Sequence, residues 1–153
     1  MSDINHPNKH YLPALFEPTD AREDERLISV TIITRERDRE GDLVEPAGLD
    51  FEHYLKNPVV LWAHDLTRAP VGRVLSIYVL PERVDAEVQF ADTVEGRECF
   101  QLYRDRYLNA WSIGFLSRRW QPLAESGFHI QEAEVVELSA VPMPCYFAGG
   151  EGK

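Results

Sequence analysis

The chain has 153 residues, enough for one domain with its own core, and its 26 acidic against 16 basic residues give a formal net charge of −10. That balance argues against a nucleic-acid binder, which needs a basic face to neutralise phosphates, and no apolar run approaches the roughly 20 residues needed to cross a bilayer. The opening MSDINHPNKHYLPALFEP has no basic segment leading into an apolar stretch, so it does not read as a secretory leader and a cytosolic location is expected.

In chain order, residues 1–26 mix prolines with the charge-dense EPTDAREDER and show no sustained period, which predicts an irregular arm. LISVTIIT at 27–34 is rich in β-branched residues and opens the folded domain as a strand. RERDREGDLVEPAG then reads as an exposed connection marked by Gly41 and Pro46. LDFEHYLK at 49–56 has the makings of two helical turns, with Asp50 near the start and Asn57-Pro58 at the end. VVLWAH follows as a buried strand. VGRVLSIYVL and RVDAEVQFA form a hairpin through Pro81-Glu82; in its second arm Val84, Ala86, Val88 and Phe90 alternate with polar residues.

The longest helical signal is TVEGRECFQLYRDRYLN at 93–109, where Cys99, Leu102, Tyr103 and Tyr107 recur near helical spacing. AWSIGFLSRRWQPL and FHIQEAEVVELSAV are two further extended stretches around a Glu125-Ser126-Gly127 turn, the second with a break expected near Glu132. The pattern predicts a mainly β fold: a barrel of about six or seven mostly antiparallel strands over 27–147, two principal helices near 49–57 and 93–108, and a tail at 148–153. Cys99 and Cys145 form no CxxC and read as free thiols, Cys99 a small buried apolar group. His6, His10, His53, His64 and His129 show no HxH or HExxH spacing and no glycine loop cradles a phosphate, so neither a metal nor a cofactor is expected.

Three segments carry candidate chemistry: NPVVLWAHD at 57–65, NAWSIGF at 109–115 and EVVELSAVPMP at 134–144. They supply a histidine at the end of an apolar run, a serine inside a second and a carboxylate beside a third. A serine hydroxyl becomes a useful nucleophile when an imidazole takes its proton and a third polar group orients the imidazole. An ordinary imidazole pKa of about 6.5 suits that base at neutral pH. Taken singly, His64 reads equally as a rim histidine bonded to Asp65, and Ser112 as a small core residue bonded to a carbonyl. Ser112 is not in a GxSxG elbow, because Ala110 stands where that pattern has glycine. Gly114 is read as letting backbone approach a substrate. For the third group Glu134 and Glu137 both qualify, with Glu132 and His129 behind them. On a strand Glu137 shares a face with Val135 and Ser139, and Glu134 shares one with Val136 and Leu138; periodicity does not choose.

Together these segments resemble the prohead, or capsid-maturation, serine proteases of tailed bacteriophages and prophages, a family whose fold is related to the herpesvirus assemblins. The resemblance runs from Gly41 to Pro144 and rests on GDLVEPAGLDFEHYLKNPVVLWAHD, PVGRV at 70–74, the helix leading into LNAWSIGF, and ELSAVPMP. It departs after ELSAV, where the family continues into a proline-alanine-asparagine stretch and this chain has Pro142-Met143-Pro144-Cys145, and at the bulky Trp111. The resemblance implies a Ser-His-Glu serine endopeptidase with Ser112 as nucleophile, His64 as base and Glu137 as third member. Arg118 or Arg119 would help order an oxyanion site, as arginines do in the assemblins; a solvated arginine pair is the plain alternative.

It further implies that the substrates are phage major capsid protein and scaffold, cut inside an immature prohead in the cytoplasm of the bacterial host, with self-association as a switch. The rival reading is a catalytically inactive, protease-like β-barrel acting as a structural or scaffold-interaction module. A small-ligand or flavin-binding split barrel stands further off.

Overall fold

A computed structural model describes residues 9–11, 24–38 and 41–143. Nine strands join in one strongly curved, nearly closed sheet: β1 (Lys9–Tyr11), β2 (Leu27–Thr34), β3 (Leu43–Val44), β4 (Leu49–Asp50), β5 (Val59–Trp62), β6 (Gly72–Val79), β7 (Arg83–Phe90), β8 (Ala110–Pro122) and β9 (Phe128–Val141). Six of these have four residues or more, in line with the expected barrel. The order is β2-β7-β6-β5-β9-β3, with β1 added on β6 and both β4 and β8 on β9. Pairing is antiparallel except where β3, β4 and β5 run parallel to β9. β2 and β8 approach each other where the barrel nearly shuts, and two cavities of about 660 and 690 Å³ lie along that seam.

The alternation in β7 does what its pattern dictates: Val84, Ala86, Val88 and Phe90 are buried in the core, and the strand pairs with β6 through a turn closed by Leu80 N–H donating to Arg83 C=O at 2.9 Å. One α-helix, α1 (Val94–Arg104), lies within the predicted 93–108. Thr93 caps it by accepting from the Gly96 amide at 3.0 Å. It ends in a left-handed Arg106 (φ 63°), with the amides of Tyr107 and Arg106 donating back to Leu102 and Tyr103 at 2.8 and 3.2 Å, a Schellman arrangement without glycine. The helix buries Cys99, Phe100 and Tyr103. Tyr103 stacks on Trp111 at 4.6 Å between ring centroids, so the bulk of Trp111 is absorbed by the core.

The second expected helix, near 49–57, does not form. Leu49 and Asp50 pair with Ala133 and Glu134 as β4, and only a single 3₁₀ turn follows at Tyr54–Lys56. Leu49 and Phe51 are both 1% exposed, side chains two apart that an extended backbone sends to one buried face. The 35–48 connection holds β3, a 3₁₀ turn at Pro46–Gly48 and a buried Asp42 whose Oδ1 accepts from the Phe128 amide at 2.8 Å. Lys9–Tyr11, inside the segment read as an irregular arm, is a strand. β9 is continuous through Glu132, and the expected break is a register irregularity opposite Arg119. Cys145 and the 148–153 tail lie outside the described residues.

Candidate active site

Adjacent strands β5, β9 and β8 set the site. Ser112 on β8 stands directly opposite Ser139 on β9, Gly114 opposite Glu137, and Leu61 on β5 beside Ser139. Strand alternation sends Trp111, Ile113, Leu138, Ala140 and Val60 into the core and leaves Ser112, Gly114, Glu137 and Ser139 on the opposite face. A bulge at Val136 shifts the phase of β9 between the two glutamates. Gly114 pairs with Glu137 but Phe115 pairs with Val135, so Val136 is the extra residue and is 43% exposed. Val135, fully buried, thereby turns into the core, away from the face that carries Glu137 and Ser139.

His64 arrives by a turn that its sequence does not announce. β5 ends at Trp62, and both Ala63 (φ 51°) and His64 (φ 60°) are left-handed, with the Asp65 amide donating to Trp62 C=O at 2.9 Å. Two left-handed central residues are the mark of a type I′ turn, which favours Asn-Gly rather than Ala-His. Each such residue costs about 1–2 kcal/mol. Hydrogen bonds of about 1 kcal/mol apiece offset this: Ala63 N–H to Ala140 C=O at 2.8 Å and His64 N–H to Ser139 Oγ at 3.0 Å.

The turn lays the imidazole across β9. Its Nε2 lies 2.9 Å from Ser112 Oγ, and its Nδ1 is hydrogen-bonded to Glu137 Oε1. A carboxylate only accepts, so Nδ1 carries the proton and Nε2 is left to accept from the serine hydroxyl. Glu137 Oε2 accepts from Ser139 Oγ at 2.9 Å. Gly114 makes room for this contact. A Cβ there would fall 2.6 Å from Glu137 Cγ and 2.9 Å from Oε1, so only glycine leaves room for the carboxylate to lie over β8. Tyr54 packs nearby, donating to Val59 C=O at 2.8 Å; burial, and then the Glu137 charge, push its phenol well above the ordinary range.

Sequence-level candidates thus divide. His64, Ser112 and Glu137 meet. Glu134 instead pairs with Arg118 at 3.1 Å, Glu132 with Arg119 at 3.4 Å, and His129 with Glu45 at 2.9 Å. Arg118 also reaches Asp50 at 3.1 Å and sits six residues from Ser112 along β8, about 20 Å at about 3.4 Å per residue, so the structure leaves both arginines in ion pairs far from the serine. Ser139 and the Ala63-His64 turn were not legible beforehand. ELSAV contains the serine, but only the register of β9 against β5 and β8 shows what it touches. Burial pushes the Cys99 thiol up to about 11, which leaves it inert at neutral pH.

The serine is 1% exposed, yet it lines the 690 Å³ cavity of the seam with Ile32, Val44, Trp111, Phe115 and Pro142. The arrangement can activate a hydroxyl beside a partly open space whose lining mixes these apolar side chains with Glu36, Arg37, Asp38 and Asp42. Among the described residues no group of three or more His, Cys, Asp or Glu side chains is placed to hold a metal ion, and no helix is long and apolar enough to cross a membrane.

Comparisons with known proteins agree with the resemblance. The chain is 26% identical over 143 residues to the prohead protease of Escherichia phage T5, covering 88% of this chain and 67% of that protein. It is 30% identical over 131 residues to a capsid polyprotein of Pseudomonas phage PAJU2, covering 80% of this chain but only 19% of that much longer one. No solved structure gives a significant match. The pattern of the caudovirus prohead serine proteases matches residues 34–149, which takes in β3 through β9 and all three side chains of the hydrogen-bonded relay, and the chain belongs to that family.

Proposed function

We propose that this chain is a serine endopeptidase that cuts capsid-protein and scaffold segments while a phage or prophage head matures, acting inside the immature prohead in the bacterial cytoplasm. The observation that carries the reading is the imidazole of His64 bonded on one side to Ser112 and on the other to Glu137. In the first step Ser112 Oγ attacks a peptide carbonyl carbon as His64 Nε2 takes its proton, and Glu137 stabilises the imidazolium through Nδ1. As the tetrahedral adduct collapses, the C–N bond breaks and the imidazolium returns the proton to the leaving amine. Water, deprotonated by the same imidazole, then attacks the acyl-serine ester and frees Ser112.

The cavity beside Ser112 would seat the side chains next to the scissile bond. Similarity to part of a capsid polyprotein supports capsid protein as the substrate class. An acidic chain suits a protease enclosed with protein before DNA enters. Since an enzyme always active in the host would be harmful, weak activity in dilute solution and stimulation by assembly or self-association are expected.

The test has two arms. A fluorophosphonate probe should label Ser112 in the wild-type protein, read by mass spectrometry, and leave Ser112→Ala unlabelled. Co-expression with a cognate major capsid protein and scaffold should give cleavage with wild type and none with Ser112→Ala. An unlabelled wild type would favour an inactive, protease-like barrel. Labelling with uncut capsid protein and scaffold would keep the hydrolase and overturn the maturation role.

A further inference from the structure

We propose that Ser139 is a positioning residue of the relay, holding the base and its carboxylate partner with one hydroxyl; the inference rests on the protease reading above. Ser139 Oγ donates its proton to Glu137 Oε2 at 2.9 Å and with a lone pair accepts from the His64 amide at 3.0 Å. One hydroxyl offers one donor and two acceptor sites, so the two bonds are compatible. The side chain is fully buried and stands opposite Ser112 on the neighbouring strand.

Each contact does separate work. Glutamate has three side-chain torsions, and a carboxylate held only at Oε1 can swing about that contact. With Oε1 on His64 and Oε2 on Ser139, and the bare backbone of Gly114 beside it, the Glu137 carboxylate is fixed at both oxygens. The bond to the His64 amide ties the left-handed turn to β9, so the backbone that carries the imidazole is referenced to the strand that carries the carboxylate. Removing the hydroxyl takes the acceptor from a part-buried amide and the donor from a part-buried carboxylate, and misplacing a base by about 1 Å can cost about 100-fold in rate.

The experiment compares wild type, Ser139→Ala and Ser139→Thr, which keeps a hydroxyl. The readouts are the fluorophosphonate labelling rate at Ser112, kcat and KM on a cleavable peptide, Tm, and the low-field proton resonance of His64 Nδ1–H. Ser139→Ala is expected to lower the labelling rate and kcat about 10- to 100-fold with KM within about threefold, and to shift the Nδ1–H resonance. Ser139→Thr should recover most of the rate. Should Ser139→Ala fail to fold, Ser139→Cys, which fills the site but donates weakly, is expected to show the same loss. The inference is overturned if the folded hydroxyl-deleted variant labels within about twofold of wild type, or if losses in the Ala and Thr variants simply track Tm. A wild type that does not label at Ser112 would instead remove the protease reading on which it rests.

Discussion

At one end of the β8–β9 hairpin Ser112 and Ser139 stand opposite each other with exposures of 1% and 0%; at the other, Trp120 and Phe128 are 55% and 44% exposed. The same two strands build both. Near Ser112 a third strand, β5, flanks β9, the register is unbroken from Ala110 to Gly114, and polar side chains are held by one another. Beyond the bulge at Val136 the ladder shifts twice more, and the charges pair across solvent-exposed faces, Arg118 with Asp50 and Glu134, Arg119 with Glu132. A carboxylate is therefore not defined by its strand. Glu134 and Glu137 lie three residues apart with side chains exposed to a similar degree, 23% and 20%; one is paired with the half-exposed Arg118, and the other is held by the His64 imidazole and Ser139.

That contrast is most sharply tested by treating the two glutamates alike. Glu137→Gln should lower kcat by about 10³-fold or more, because the amide favours the wrong imidazole tautomer and cannot stabilise the imidazolium. Glu134→Gln should stay within about twofold of wild type. Peptide-cleavage kinetics on both variants decides it, and equal losses would erase the distinction between the two ends.

Gly114→Ala comes next in size. The new methyl would push the Glu137 carboxylate off Nδ1, a shift of flexible side-chain atoms that leaves the strand in place. A loss of about 100-fold in kcat with little change in Tm is expected; unchanged kinetics would mean that the carboxylate has room to adapt. At the exposed end Arg118→Ala should leave kcat within about twofold and Tm within about 3 °C, since ion pairs in solvent contribute little. A marked loss of activity there would bring the arginine back into the chemistry.

The smallest effect concerns the Arg35-Glu45-His129 cluster that fastens the 35–48 connection to β9, with contacts of 2.8 and 2.9 Å. Burial works against the ionised Glu45, but hydrogen bonds and charge from Arg35 and His129 outweigh it and hold the carboxyl below its ordinary value. A carboxyl depressed in the folded state adds stability above its unfolded pKa, about 4.3, and loses it as pH falls through the folded value. Glu45→Gln should therefore lower Tm by a few degrees at pH 7, with the gap from wild type closing below about pH 4. A gap that persists in acid would assign the effect to packing.

Much of the barrel was legible because its cause is local. The period-two alternation of 84–90 buries one face of a strand wherever it occurs, and the helical spacing of Cys99 and Tyr103 marks α1. The 49–57 segment misled because short apolar runs satisfy helix and strand alike, and β9 decided by offering Ala133 and Glu134 as partners. The chain alone supplied the residue types for acyl transfer, and family resemblance supplied their roles. Tertiary structure decided which groups touch. An extra residue at Val136 turns Val135 inward, a strained Ala-His turn swings the imidazole over β9, and the missing Cβ of Gly114 lets Glu137 reach it. None of these leaves a periodic trace, because each depends on the register between strands far apart in sequence, and register is set by the summed packing of the sheet.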